Sequence, residues 1–134
     1  MRHVSELRVR YVETDQMGVA HHTNYLVWCE VGRTDFIGQL GMSYAQVEEQ
    51  GIMLAVVEAH LKYKRSARYD DQVRVTTTVA EVRSRFVMFT YDISLANGTH
   101  LASASTALVA VGPDGKSTVI PTTLRQALEG TIED

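Results

Sequence analysis

A chain of 134 residues, 45% of them hydrophobic and 22% charged, is long enough to bury a real core and falls in the ordinary globular range. Its net charge of −3 argues against the basic excess of a nucleic-acid-binding protein, and its single cysteine, Cys29, excludes an intrachain disulfide. No apolar run approaches the roughly 20 residues that span a bilayer, and the first residues, Met-Arg-His-Val-Ser-Glu-Leu, lack an apolar signal core, so the expected location is cytoplasmic.

The alternation of Leu7, Val9 and Tyr11 predicts a first strand over 4–13. A long helix is expected over 24–40, with Gly41 placed to end it, and a shorter one over 43–50, stopped by Gly51. The long helix is nearly apolar on all sides from Tyr25 to Val31, with Trp28 its largest member, so it is expected to lie inside the curve of a sheet. Cys29 sits in that stretch and reads as a packed, inert thiol rather than a nucleophile.

Val57, Ala59, Leu61 and Tyr63 then alternate with Glu58, His60, Lys62 and Lys64, the pattern of a half-buried strand. A second run over 72–82 carries Val73, Val75, Thr77 and Val79, and a third carries Val87, Phe89, Tyr91, Ile93 and Leu95. Asn97-Gly98 predicts a two-residue hairpin turn into a last strand over 101–111. Its segment Ala102-Ser103-Ala104-Ser105 is small enough to let a helix approach closely. Pro121 with Thr123-Leu-Arg-Gln126 reads as a capping box opening a C-terminal helix. A helix-rich block followed by strands, with no linker between them, implies an α+β fold in a single domain over 1–134.

Asp15 is the best-placed candidate for chemistry. It follows a strand and precedes the long helix, whose start offers unpaired N–H groups and the positive end of a dipole. Such donors can hold a developing oxyanion while a nearby carboxylate attacks an acyl carbon or activates water to do so. The plain alternative is that Asp15 only closes a turn. No Cys/His cluster has zinc spacing, and neither a metal nor a cofactor is expected.

The segment Asp15-Gln-Met-Gly18-Val-Ala-His-His22-Thr-Asn24-Tyr25, with Tyr11 four residues before the acid, resembles the signature of the 4-hydroxybenzoyl-CoA thioesterase family, and more narrowly its Tol-Pal-associated acyl-CoA thioesterase branch. Tyr63-Lys64-Arg65-Ser66-Ala67-Arg68-Tyr69-Asp70-Asp71 is similar to that family's Tyr-x-x-Pro-Ala-Arg-x-x-Asp stretch, with Ser66 in place of proline. The resemblance implies the hotdog fold, an antiparallel sheet of about five strands wrapped round one central helix. It also implies a homodimer or homotetramer with active sites at the subunit boundary, and hydrolysis of acyl-CoA thioesters to free acid and CoA. Asp15 would be nucleophile or general base, the backbone N–H near His22 would polarise the thioester carbonyl, and His22 and Tyr11 would orient substrate or acid.

Gly18, Asn24 and Tyr25 belong to the same motif and are assigned to substrate binding. Thr23 and Asn24 also suit a helix cap, and Tyr25 suits packing. Coenzyme A, part of the substrate, needs cations for its phosphates, and two clusters qualify: Lys64, Arg65 and Arg68, and the tip carrying Arg83 and Arg85. Val56, Val57 and Met53 are placed to wall an acyl pocket from a neighbouring subunit. His21 reads as an exposed loop residue and Glu13 as structural, while Glu30 on the long helix rivals Asp15 because a related hotdog branch carries its acid there. An acyl carrier protein thioesterase, a hotdog dehydratase and a non-catalytic acyl-thioester binder are the alternatives.

Overall fold

The computed structural model describes residues 1–42 and 44–132. Its strands are β1 (Arg2–Arg8), β2 (Met53–Tyr63), β3 (Gln72–Val82), β4 (Phe86–Leu95) and β5 (His100–Val111), and its helices are α1 (Asn24–Gln39), α2 (Tyr44–Glu49) and α3 (Thr122–Glu129). The strands form one antiparallel sheet in the order β1-β3-β4-β5-β2. β3, β4 and β5 are joined by successive hairpins, and β2 stands at one edge. This is the hotdog arrangement, with α1 laid across the inner face of the sheet.

Period 3.6 explains which side of α1 turns inward. Tyr25, Trp28, Cys29, Gly32, Arg33, Phe36 and Ile37 are buried. The helix lies on the inner side of the sheet as expected, although its apolar Leu26, Val27 and Val31 are exposed on the face turned away from the strands. A close approach of helix to sheet is made at Gly32, which lies against Val75 and Thr77 of β3. It is not made by the small residues 102–105 of β5, since α1 runs over β1 and β3 instead. Arg33 is 7% exposed; its Nη1 donates to the Tyr91 hydroxyl at 3.1 Å, which shares a 2.7 Å bond with Thr106.

Several boundaries differ from the expectation. The first strand ends at Arg8 rather than 13, and Tyr11–Glu13 form a turn of 3-10 helix. The reason is Glu13, whose carboxylate reaches back to the Arg10 N–H at 2.8 Å and closes the turn. β2 begins at Met53 rather than Val57, and its expected half-buried pattern is mostly exposed because it is an edge strand with a bulge between Val56 and Glu58. The β4–β5 connection is a three-residue loop: Gly98 N–H donates to the Leu95 carbonyl, Leu95 N–H donates to the Thr99 carbonyl, and only Gly98 takes positive φ. The capping box is absent. α3 starts at Thr122 after Pro121, so Thr123 already lies inside the first turn and makes no cap bond. Gly41 and Gly51 end α1 and α2 at positive φ as expected, while the expected start of the second helix at 43 lies outside the described residues.

Candidate active site

Asp15 sits in a tight loop between the 3-10 turn and α1. Gly18 N–H donates to the Asp15 carbonyl at 3.0 Å and Asp15 N–H to the Val19 carbonyl at 2.9 Å, a closure that needs the left-handed φ of +78° at Gly18. The carboxylate oxygen Oδ1 accepts the Met17 N–H at 2.8 Å and, at 3.5 Å, the Val19 N–H. Asp15 therefore does close a turn, and in doing so its carboxylate is fixed at the rim of a cavity of about 300 Å³.

The same cavity is lined by His22 and Tyr25 from the start of α1 and by Tyr63, Lys64 and Arg65 from the end of β2. Two backbone ties bring these elements together. Val19 pairs with Arg68, and Ala20 N–H donates to the Ala67 carbonyl at 2.8 Å. Further on, His21 N–H donates to the Glu13 carbonyl at 2.7 Å, whereas among the described residues the His22 N–H has no hydrogen-bond partner. The helix start thus leaves one donor free beside the cavity.

Of the expected site residues, the fold gathers Asp15, His22, Tyr25, Lys64 and Arg65, and sets Arg68 beside Gly18. Tyr25 is buried, its ring 4.6 Å from Trp28 and its hydroxyl accepting the Ala67 N–H at 3.1 Å, so it packs. Asn24 and Thr23 do not cap by accepting helix N–H groups. The Asn24 amide instead donates to the carbonyls of Glu13 and His21, and the Thr23 hydroxyl bonds His21 Nδ1. Tyr11 does not line the cavity. Strand alternation fails before it, leaving it 77% exposed and edge-on to Tyr69. Arg83 and Arg85 stand at the β3–β4 tip, roughly 35 Å along the strand from the end that carries Asp15. Arg83 pairs there with Glu81, and Arg85 donates to the Ser117 carbonyl. Glu30 lies on the exposed side of α1, away from this cavity.

Glu13 does more than the sequence suggested. It is 4% exposed; Oε2 accepts the Trp28 indole N–H at 3.0 Å, while Oε1 takes the Arg10 N–H. No local pattern announces a carboxylate bonded to an indole fifteen residues later. Burial alone would raise its pKa, but the donors from Arg10 and Trp28 outweigh burial and hold it below the ordinary 4.5. A carboxyl that titrates lower when folded contributes stability above its unfolded pKa, and that stability is lost as pH falls through the folded value. Glu13→Gln should therefore cost about 1–3 kcal/mol at pH 7, because one donor then faces an amide N–H, and should flatten the loss of melting temperature below pH 4.5. Thermal melts of both proteins across acidic pH check this. Cys29 is wholly buried, and burial pushes its thiol up to about 12, so the inert reading holds.

Residues 9–128 match the thioesterase-like superfamily. The chain belongs to that family. YneP of Bacillus subtilis, provisionally named an acyl-CoA thioesterase, is 42% identical over 93 residues, covering 68% of this chain and 67% of YneP. The crystal structure of a hypothetical protein from Thermus thermophilus superposes with a TM-score of 0.94 at 36% identity over the whole of both chains. The DHNA-CoA thioesterase of Staphylococcus aureus superposes at 0.86 with 37% identity, over 88% of this chain and 80% of that one. No described helix is long and apolar enough to cross a membrane, and no group of three His, Cys, Asp or Glu among the described residues is arranged to hold a metal.

Proposed function

We propose that this thioesterase-family chain, as a single domain in the cytoplasm, hydrolyses acyl-CoA thioesters to free acid and CoA at the Asp15 cavity. The observation that carries the reading is the juxtaposition of a carboxylate fixed by its own loop with a helix start whose His22 N–H is unpaired. Asp15 either attacks the thioester carbon, expelling the CoA thiolate and forming an acyl anhydride that water then cleaves, or takes a proton from the attacking water. In both cases the carbonyl oxygen gains negative charge, which the His22 N–H and the positive end of α1 stabilise. The imidazole of His22 orients the substrate in this reading.

Lys64, Arg65 and Arg68 give the cavity a cationic rim for the CoA phosphates. Arg83 and Arg85 join them through a second copy of the chain. β2 is an open edge of eleven residues whose Met53, Val56 and Val57 are exposed, a surface that natural sheets cover or pair. Two such edges paired antiparallel set the Met53 end of one β2 against the Tyr63 end of the other. The Met53 end shares its side of the sheet with the Arg83–Arg85 tip, so a homodimer, alone or doubled to a homotetramer, brings that tip to the end where the partner's cavity opens.

Thiol release from a panel of short, long and aromatic acyl-CoAs tests the reading. Turnover of at least one member is expected, and 4-hydroxybenzoyl-CoA against straight-chain members reports on the branch. Release only from acyl carrier protein thioesters would move the substrate class. Tight binding without any release would make the chain a binding module, and water loss from a 3-hydroxyacyl thioester would make it a dehydratase.

A further inference from the structure

Tyr63 is the last residue of β2, paired across the ladder with Ala102, and the strand end is tied down beyond it by Lys64 and Arg65, whose N–H groups both donate to the Leu101 carbonyl at 2.8 and 3.1 Å. From that anchored position its hydroxyl donates to the backbone carbonyl of His22 at 2.9 Å, across 41 residues of sequence. Among the described residues the His22 carbonyl has otherwise only a long 3.4 Å bond from the Tyr25 N–H. The ring stands edge-on to Tyr25 at 5.1 Å and to the His22 imidazole at 6.4 Å, so the phenol is seated by packing before its hydroxyl reaches the loop.

The loop needs such a tie. Neither Thr23 nor Asn24 caps α1 with its side chain; the Asn24 N–H and amide hold the His21 carbonyl at 3.0 and 3.3 Å, which leaves the next carbonyl, that of His22, to Tyr63. Glu13 fastens the His21 N–H on one side of His22, and Tyr63 fastens the His22 carbonyl on the other. Between those two bonds, the His22 N–H is left free beside the cavity that holds the Asp15 carboxylate.

We infer that Tyr63 is a positioning residue: by holding the His22 carbonyl it fixes the peptide plane next to the one that carries the His22 N–H, and together with the Asn24 bonds to the His21 carbonyl it sets the orientation in which that N–H meets the substrate's acyl oxygen. The inference rests on the reading of this cavity as a thioester hydrolysis centre. Partial burial, with Tyr25 and Cys29 adding to it, raises the phenol above its ordinary pKa, so it stays a protonated donor through neutral and mildly alkaline pH. An interaction that matters only when the acyl oxygen charges acts on kcat rather than on substrate binding.

Tyr63→Phe keeps the ring and its packing and removes only the donor. With the acyl-CoA that the native chain turns over best, kcat should fall by about tenfold while KM and the melting temperature stay near native. In backbone NMR of the free protein, the His22 carbonyl carbon and the Thr23 amide nitrogen should shift, with the Lys64 and Arg65 amides unmoved. Tyr63→Leu, which also loses the ring, should lose stability as well as kcat. Native kcat in Tyr63→Phe, or a raised KM with kcat intact, overturns the inference and leaves Tyr63 as cavity wall. Failure of the native chain to hydrolyse any thioester is a different result: it removes the reaction itself, whereas an active native chain with an unaltered Phe variant rejects the positioning role alone.

Discussion

Gly32→Val should lower the stability of this fold by about 3 kcal/mol, a loss of on the order of 10 °C in melting temperature. A Cβ built at Gly32 would lie 2.5 Å from Thr77 Oγ1 and 2.9 Å from Val75 Cγ1. Both neighbours are fully buried and β-branched, so neither can swing aside, and α1 must lift from β3 instead. Valine adds two methyl groups to a contact already too short for the first carbon. Gly38→Ala is the control, because nothing lies within 4 Å of its Cβ position in the same helix. There the gain in helix propensity should leave stability unchanged or raise it by about 0.5 kcal/mol. Differential scanning calorimetry of the two variants separates a packing effect from any general response of α1 to substitution.

Asp15→Asn should reduce kcat by on the order of a hundredfold or more, with KM little changed. The substitution is well matched to the loop. Asparagine retains the oxygen that accepts the Met17 N–H, so the turn closed at Gly18 survives. What disappears is the negative charge that could attack the acyl carbon or take a proton from water, and a neutral amide does neither. Asp15→Ala would confuse the result by also removing the turn bond.

How much of this was legible beforehand depended on the range of the interactions involved. β3, β4 and β5 follow from alternation because each is a central strand with one face on the core, and the glycines that end α1 and α2 act within a turn of their helices. β2 and the end of β1 did not follow. Whether a strand is an edge is decided by the whole sheet, and β1 stops where Glu13 finds Arg10 nearby and Trp28 in the core. In the site, Asp15, Gly18 and His22 were visible because strand, acid, turn and helix start are contiguous in sequence. Lys64 and Arg65 came from a second motif that packs against the first. Tyr63 and Glu13 were hidden as loop fasteners, since each acts through a bond to a distant group. Tyr11 enters the site only through the family resemblance; the 3-10 turn that carries it leaves it exposed beside Tyr69 and outside the lining of the cavity. Leu26, Val27 and Val31 read as core from hydropathy, yet the helical period turns them to the exposed side of α1, beside Glu30, Thr34 and Asp35.

The central claim, that Asp15 rather than another acid performs thioester hydrolysis, is tested most directly by steady-state thiol release from one well-turned-over acyl-CoA by the native chain, Asp15→Asn and Glu30→Gln, each verified as folded and competent to bind CoA. The account predicts near-native rates for Glu30→Gln and a hundredfold or greater loss for Asp15→Asn. Equal rates for native and Asp15→Asn, or a collapse confined to Glu30→Gln, would contradict it and move the chemistry to the outer face of α1.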